Sequence, residues 1–161
     1  MDHLWTPWRY SYISTAVAPT GCIFCLKAAE NQDARNYILY RGELNFLLLN
    51  LFPYTNGHLL IAPYQHVATL EETSEETLAE MTRLTRRAEA NLRVAYRPQG
   101  FNLGMNIGAS AGAGVADHIH MHVVPRWTGD ANFMSTIGET RVLPEELPAT
   151  YEKLATLEWG A

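Results

Sequence analysis

Cysteine and long apolar runs are scarce in this sequence. Only two of the 161 residues are cysteine, and no apolar run approaches the roughly 20 residues that a membrane-spanning helix needs. Residues 1–5 lack a basic stretch followed by an apolar one, so no secretory signal is visible. These absences lead us to expect a cytoplasmic protein with reduced thiols and no membrane partner.

Lysine and arginine are also scarce. Twelve lysines and arginines stand against 17 acidic residues, which gives a net charge of −5. Non-specific binding to nucleic acid needs clustered basic side chains, so we expect no nucleic-acid partner. A small phosphorylated substrate remains compatible with this charge, because histidines, backbone N–H groups and one or two cations can hold it in a pocket.

Length and composition indicate one domain. A chain of 161 residues can bury most of its apolar surface without covalent crosslinks, and no repeat or low-complexity block divides it. We therefore expect a single domain over residues 1–161, including terminal extensions that pack on it. The N-terminal extension is rich in aromatic side chains, for which packing on the domain is the simplest use: Trp5, Trp8, Tyr10 and Tyr12.

Histidine alternates with apolar residues over 117–126, the stretch around which the rest of the chain is organised. Side chains alternate sides along a strand, so a strand here directs Ile119, Met121 and Val123 into the core. The opposite face then carries three imidazoles: His118, His120 and His122. Buried imidazoles need hydrogen-bond partners or a metal. The residues alone leave three interpretations open, namely an exposed histidine face, a metal site, or a nucleophile with its helpers.

The remaining patterns predict an α+β fold. Short strands are predicted where apolar residues cluster between turn residues: Tyr37–Arg41, Asn45–Asn50, His58–Ala62 and Gly100–Ile107. One long helix is predicted over Thr73–Arg97, with Thr73 as N-cap and Glu76 completing a capping box, and a weaker helix over Glu145–Trp159. With the histidine strand, these elements predict an antiparallel sheet of about five strands and one long helix packed on it.

The two cysteines form a Cys22-x-x-Cys25 motif. In a reduced chain this spacing serves as half of a zinc site or as a redox pair. A zinc site needs two more ligands. His66 follows Pro63 in a predicted loop outside the sheet, where a metal or solvent is its natural partner.

The connection before the histidine strand is the richest in glycine. Residues 108–116 read Gly-Ala-Ser-Ala-Gly-Ala-Gly-Val-Ala, and small residues let backbone N–H groups approach an anion closely. A flexible linker is the alternative, although so short a segment between two strands must be a tight connection. Upstream, Asn102, Gly104 and Asn106 share one face of an alternating strand and are candidates for lining a pocket.

The histidine pattern resembles the signature of the histidine triad (HIT) family of nucleotide hydrolases and transferases. The resemblance rests on His-apolar-His-apolar-His-apolar-apolar at 118–124 and on features that fall in family order: Cys22-x-x-Cys25, Asn50, Pro53, Asn56-Gly57-His58 and Pro63-x-x-His66. It covers about residues 21–127, which we take as the core of the domain. Segments 5–9 and 125–133 look most like the branch that contains diadenosine tetraphosphate phosphorylases.

The resemblance implies a HIT-like fold and nucleotidyl transfer through a covalent nucleotidyl-histidine. His120 would attack the α-phosphorus, and His122 would bind the phosphoryl oxygens with help from backbone N–H groups. Asn50 matches the family position that contacts the ribose, and His58 matches a further active-site position. The predicted catalytic residues are His58, His120 and His122. The predicted substrate-binding residues are Asn50, Asn106, Gly112 and Gly114.

The resemblance also implies a metal and a second subunit. Cys22, Cys25, His66 and His118 would form a structural Cys2His2 zinc site, which is the ligand count of a closed tetrahedral site. A catalytic zinc held by the three triad histidines is the rival interpretation, but it leaves the cysteines unexplained. No organic cofactor is implied, and the family adds a homodimer.

Three functions remain in competition. The first is a dinucleoside polyphosphate phosphorylase or hydrolase, the second a purine nucleoside phosphoramidase, and the third a non-catalytic nucleotide-binding interaction protein. The intact triad favours an enzyme. Many family members carry Gln-Ser or Gln-Thr where this chain has Gly114-Val115, so the hydroxyl that assists transfer in those branches is absent. We therefore expect orthophosphate, rather than water, to be the acceptor when diadenosine tetraphosphate is cleaved.

Overall fold

The computed structural model describes residues 21–131, 135 and 143–160. The aromatic N-terminal segment and residues 132–133 of the loop after the histidine stretch lie outside the described residues, as do the predictions made for them. The described elements follow in chain order: α1 Ile23–Ala29, α2 Asp33–Asn36, β1 Ile38–Arg41, β2 Asn45–Leu49, β3 Leu59–Pro63, α3 Glu75–Tyr96, β4 Gly100–Gly104, a 3-10 turn Ala109–Ala111, β5 Met121–Arg126 and α4 Leu147–Ala155.

Five strands form one antiparallel sheet in the order β1-β2-β3-β5-β4. Strands β1 to β3 are neighbours in sequence, whereas β5 inserts between β3 and the edge strand β4. Its register places Met121 opposite Ile61 and His122 opposite Gly104. This architecture confirms the predicted α+β fold, with its antiparallel sheet of about five strands and one long helix.

The two faces of the sheet carry different layers. Helices α3 and α4 cover one face, where the core includes Leu47, Leu49, Leu59, Ile61, Met81, Ala88, Leu92, Val123 and Leu154. Helix α1 covers part of the other face, where Phe24 packs with Phe46, Leu48, Leu60 and Ala62. The unbroken apolar run of β2 thus alternates between two cores, which is the pattern of a central strand buried on both faces.

The long helix begins one residue later than the predicted capping box requires. Ser74, not Thr73, is the N-cap, and its side chain accepts a hydrogen bond from the Thr77 N–H at 3.2 Å. Thr73 instead donates its hydroxyl to the Thr69 carbonyl at 2.8 Å, so it belongs to the preceding loop and the capping box with Glu76 is wrong. Within the described residues, no helix has both the length and the apolar character needed to span a membrane.

The histidine stretch enters the sheet later than the alternation predicts. Strand β5 starts at Met121, so His118 and His120 precede the paired region. The register would place residue 119 opposite Pro63, which has no N–H to donate, and the Ile119 N–H bonds to the Val67 carbonyl at 2.7 Å instead. The alternation of side chains nevertheless persists, since Ile119 is buried and the other two rings both lie against Phe24.

Candidate functional site: two histidine clusters on one face of the sheet

Two cysteines and two histidines meet between α1, the loop after β3 and the approach to β5. The ligand atoms of Cys22, Cys25, His66 and His118 all lie within 4.8 Å of one another. The closest pairs are Cys22 Sγ with His118 Nδ1 and His66 Nδ1 with His118 Nδ1, both at 3.2 Å. Two sulfurs and two imidazole nitrogens at these separations can hold a metal ion in a closed tetrahedral set.

The protonation of His118 suits metal binding. Its Nε2 lies 2.9 Å from the Pro63 carbonyl oxygen, and a carbonyl can only accept, so Nε2 carries the proton and Nδ1 presents a lone pair to the cluster. A second ring nitrogen held by a backbone carbonyl is the usual support for a metal-binding histidine. The donor set and its hydrogen bonding therefore fit a metal of the zinc type.

His120 presents the other nitrogen. Its Nδ1 donates to the His118 carbonyl oxygen at 2.8 Å, so the lone pair of a neutral ring resides on Nε2. The side chain is 5% exposed, and burial lowers the pKa of His120 while the bond to the His118 carbonyl partly opposes that effect. These effects favour the neutral form of His120, whose Nε2 has no hydrogen-bond partner among the described residues, and the ring lies beside the cysteine-histidine cluster but outside it.

A relay of hydrogen bonds fixes the tautomer of His122. The Tyr54 N–H points at His58 Nδ1 at 3.1 Å, so that nitrogen must accept and neutral His58 is protonated on Nε2. His58 Nε2 then donates to His122 Nδ1 at 2.9 Å, which leaves the proton of neutral His122 on Nε2. This Nε2 is buried and has no hydrogen-bond partner among the described residues.

His122 stays neutral because of its surroundings. Burial, followed by the electrostatic repulsion that a protonated His120 would exert, lowers the pKa of His122 to about 4. Its ring stacks near Tyr54, with centroids 6.1 Å apart and planes 9° from parallel, and its centroid lies 4.9 Å from that of His120. The site therefore pairs a free lone pair on His120 with an unpaired N–H donor on His122.

Asn50 completes this group at the end of β2. Its Oδ1 accepts from the Phe52 N–H at 3.0 Å, which orients the amide, and its Nδ2 lies 3.3 Å from His58 Nδ1. The side chain also borders a cavity of about 420 Å³ that contains His120 and His122 at its wall. Asn50, His58, His120 and His122, which the sequence predicted as site residues, are thus brought together.

The glycine-rich connection forms another wall of the same cavity. Asn106 and residues 109–115 line it, so Asn106, Gly112 and Gly114 all reach the site. Gly112 adopts a positive φ of 87° and donates its N–H to the Ala109 carbonyl at 2.9 Å, which closes the turn. The N–H groups of Gly114 and Val115 donate to no described residue.

Two features of the site were missed by sequence reasoning. Lys27 of α1 lines the 420 Å³ cavity, and no pattern around it singles it out. A second cavity of about 940 Å³ shares Tyr54, Asn106 and His122 with the first, and Arg126 and Trp127 also line it. The sequence pattern placed His122 on one face but gave no sign that the residue borders two cavities.

Comparison with known proteins agrees with this geometry. The profile of the HIT domain family matches residues 31–129. An AP-4-A phosphorylase of Mycobacterium tuberculosis is 39% identical over 167 aligned positions, which cover 99% of this chain and 85% of the relative. An adenosine 5'-monophosphoramidase of Schizosaccharomyces pombe is 28% identical, over an alignment that covers 84% of this chain and 96% of the relative.

Solved structures give the same result. A Zn-bound histidine triad family protein from Mycobacterium smegmatis superposes with a TM-score of 0.67 at 30% identity, over 84% of this chain and 91% of that one. The resemblance seen in the sequence is confirmed, and this chain belongs to the HIT domain family.

Proposed function

We propose that this protein is a dinucleoside polyphosphate phosphorylase that cleaves diadenosine tetraphosphate through a nucleotidyl-His120 intermediate. The observation that carries the proposal is the pairing in one cavity of a free His120 Nε2 lone pair with an unpaired His122 Nε2–H. A nucleophile and a donor for phosphoryl oxygens are the two groups that nucleotidyl transfer requires. The named AP-4-A phosphorylase relative supports the substrate class.

The first step forms a bond between His120 Nε2 and the α-phosphorus of one adenosine. The bond from that phosphorus to the bridging oxygen of the polyphosphate breaks, and ATP leaves with the bonding electrons. Negative charge that develops on the phosphoryl oxygens is stabilised by the N–H of His122, which has no other partner among the described residues. His58 acts through His122, because its hydrogen bond holds the ring in the donating tautomer.

Asn50, Asn106 and the glycine-rich wall position the nucleotide. Asn50 is oriented by its contacts with the Phe52 N–H and with His58, and we assign its amide to the ribose of the bound nucleotide. The N–H of Gly114 supplies a further donor for the anion. Gly112 adopts the left-handed backbone conformation at the end of the 3-10 turn.

The second step transfers the adenylyl group to orthophosphate. A phosphate oxygen attacks the phosphorus, the P–N bond to His120 breaks, and ADP is released with the imidazole restored. We favour phosphate because Gly114 and Val115 provide N–H groups and space, but no hydroxyl to assist water. Attack by water, the hydrolase alternative, would give AMP in place of ADP.

The product distribution tests this function. Purified protein is incubated with diadenosine tetraphosphate with and without millimolar orthophosphate, and the nucleotides are separated. We expect ATP and ADP in equal amounts and a rate that rises with phosphate concentration. If AMP is the main second product and the rate does not depend on phosphate concentration, the protein is a hydrolase and not a phosphorylase.

A phosphoramidase is the second candidate, because a named monophosphoramidase matches most of this chain. Adenosine 5'-phosphoramidate tests it directly, and a kcat/KM well above that for diadenosine tetraphosphate would favour it. A non-catalytic nucleotide-binding role is the third candidate. It predicts binding without turnover of either substrate.

The proposal includes a structural zinc ion at Cys22, Cys25, His66 and His118. A bound zinc would supply a cross-link between α1, the loop after β3 and the approach to β5. We assign it no part in the transfer, since His120 is not among the four clustered ligands and its Nδ1 bonds to the His118 carbonyl. Both cysteines are free thiols, and the reducing conditions of the cytoplasm, where we place the enzyme, keep such ligands available.

The proposal also includes a homodimer of one-domain chains. Strand β4 lies at the edge of the sheet, Leu103 on it is 47% exposed, and Val94 on α3 is 72% exposed. An open edge strand is a template for a strand from a second chain, and exposed apolar side chains beside it favour association. Light scattering at micromolar concentration checks this, and a monomeric mass would contradict it.

A further inference from the structure

Lys27 occupies an unusual position in the cavity that holds His120. Among the described residues that line this cavity it is the one charged side chain. Its helix neighbours Ile23 and Phe24 and the sheet residues Leu48 and Leu60 contribute apolar walls. A flat, largely apolar base fits between such walls, and Lys27 would be the charged group available to read it.

Lys27 reaches the cavity because of its place on α1. Residues 23 and 27 are four apart and therefore lie on the same side of the helix. Phe24 fixes this helix against the catalytic histidines, with its ring centroid 4.9 Å from that of His120. His120 and Lys27 thus line the same cavity, on whose wall α1 lies.

The ammonium group is held in place and retains donors. Nζ donates to the Asn36 carbonyl at 2.9 Å, and Asn36 is itself anchored by a 2.8 Å bond from its side chain to Glu30. An ammonium has three N–H donors, so two have no acceptor among the described residues after this bond. Burial lowers the pKa of Lys27 and the charge of Glu30 opposes that effect. A partly desolvated donor of this kind gains from a ligand acceptor.

The identity of the base follows from the donor-only character of lysine. The O6 and N7 edge of guanine offers two adjacent acceptors, whereas adenine places an N6 amino donor beside N7. The geometry points to Lys27 as the residue that reads the base of the transferred nucleotide, with a preference for guanine over adenine. This inference rests on the proposed function, because it assumes that the nucleotide in this cavity is the one transferred to His120.

A mixed substrate measures the preference within one reaction. Adenosine-guanosine tetraphosphate binds in two orientations. With guanosine in the Lys27 cavity, His120 takes the guanylyl group and ATP leaves; phosphate then attacks the phosphorus, the P–N bond breaks, and GDP forms. With adenosine in the cavity, GTP leaves and ADP forms. The ratio of ATP to GTP therefore reports the orientation, whether the final acceptor is phosphate or water.

We expect ATP to exceed GTP by about fivefold or more in the wild type, the low end of what a lysine contact to guanine contributes. Lys27→Met should bring the ratio close to one, and Lys27→Arg, which keeps donors, should preserve an excess of ATP. Arg35→Met is the matched control, because it removes an exposed cation from the neighbouring helix α2 that lines none of the described cavities. It should leave the ratio unchanged.

A second substrate keeps the test independent of the variants. Inosine retains O6 and N7 but lacks the guanine amino group, so adenosine-inosine tetraphosphate should also release more ATP than ITP. A wild-type ratio near one, or a ratio that Lys27→Met leaves unchanged, would overturn the inference. Absence of cleavage of both the mixed substrate and diadenosine tetraphosphate would instead overturn the proposed function.

Discussion

His58 and His122, 64 positions apart in sequence, share a hydrogen bond of 2.9 Å from Nε2 to Nδ1. Because the Tyr54 N–H occupies the other nitrogen of His58, this bond places the proton of neutral His122 on Nε2, a buried atom without a partner among the described residues. The donor that we propose for the phosphoryl oxygens is therefore set by His58, a residue that need not touch the substrate.

Replacing the two residues should separate their roles. His122→Ala removes the donor itself and should lower kcat by roughly 100- to 1000-fold, as loss of one oxyanion donor does. His58→Phe keeps a ring in place but removes the hydrogen bond, and should give a kcat between the wild type and His122→Ala. Steady-state kinetics with diadenosine tetraphosphate measures both. A His58→Phe enzyme with wild-type kcat would contradict the relay.

Stability should fall in weak acid because His122 is held neutral. Its pKa is about 4 in the fold against an ordinary value of 6.5, so the unfolded chain binds the extra proton first as the pH falls. The stabilising contribution is full above pH 6.5 and is lost progressively between 6.5 and 4. Denaturant unfolding at pH 7 and pH 5 should show a larger loss for the wild type than for His122→Phe. Equal losses would show that His122 does not titrate in this way.

Metal removal should destabilise the fold more than it alters the chemistry. The four ligands come from three segments that are far apart in sequence, so one ion ties them together. Elemental analysis of protein purified without chelator should find about one zinc ion per chain. His66→Ala, which removes an exposed ligand, should lower both the metal content and the melting temperature. An unchanged melting temperature in metal-free protein would contradict a structural role for zinc.

Glu80 is predicted to stabilise the β1–β2 turn from α3. Its carboxylate accepts from the N–H groups of Glu43 and Leu44 at 2.8 and 2.9 Å and from the Asn45 side chain at 2.8 Å. Burial works to raise the pKa of Glu80, but these hydrogen bonds lower it overall. Glu80→Gln replaces one accepting oxygen by an NH2 group, which would face the N–H donors of the turn. The substitution should lower the free energy of unfolding by about 1–3 kcal/mol.

The exposed carboxylate of Glu76, on the same helix, provides the control for this substitution. Glu76→Gln should change the free energy of unfolding by no more than about 0.5 kcal/mol. Neither variant should alter kcat, since both residues lie outside the catalytic cavity. Equal stability of the two variants in denaturant titrations would contradict the role given to Glu80.

The sheet was predictable because its signals are local. The run Phe46–Leu49 is apolar without interruption, and this pattern alone indicates a strand buried on both faces. The start of β5 was not predictable in the same way. It depends on the Ile119 N–H finding the Val67 carbonyl, a contact across 52 residues that no spacing reveals. The N-cap was misplaced for a similar reason, since Thr73 and Ser74 both have capping side chains and the Thr69 carbonyl decides between them.

The features of the site were likewise predictable only where their signals are local in sequence. The spacing of 118, 120 and 122 places three imidazoles on one side of an extended chain, and the family resemblance gives each a role. Sequence cannot supply the tautomers, because these depend on which backbone group each ring nitrogen meets: Pro63 for His118, the His118 carbonyl for His120, and the Tyr54 N–H for His58. Lys27 escaped notice because a single lysine in a short helix carries no pattern.

The covalent adduct is the most direct test of the account. Wild-type protein is quenched in alkaline denaturant during turnover of diadenosine tetraphosphate, because a phosphorus–nitrogen bond to histidine is labile in acid, and its peptides are analysed by mass spectrometry. We expect one adenylyl group on the peptide that contains His120, and no adduct and no turnover in His120→Asn, which should still bind nucleotide. A wild-type enzyme that turns over without ever carrying the adduct, or a His120→Asn enzyme that keeps most of its rate, would contradict it.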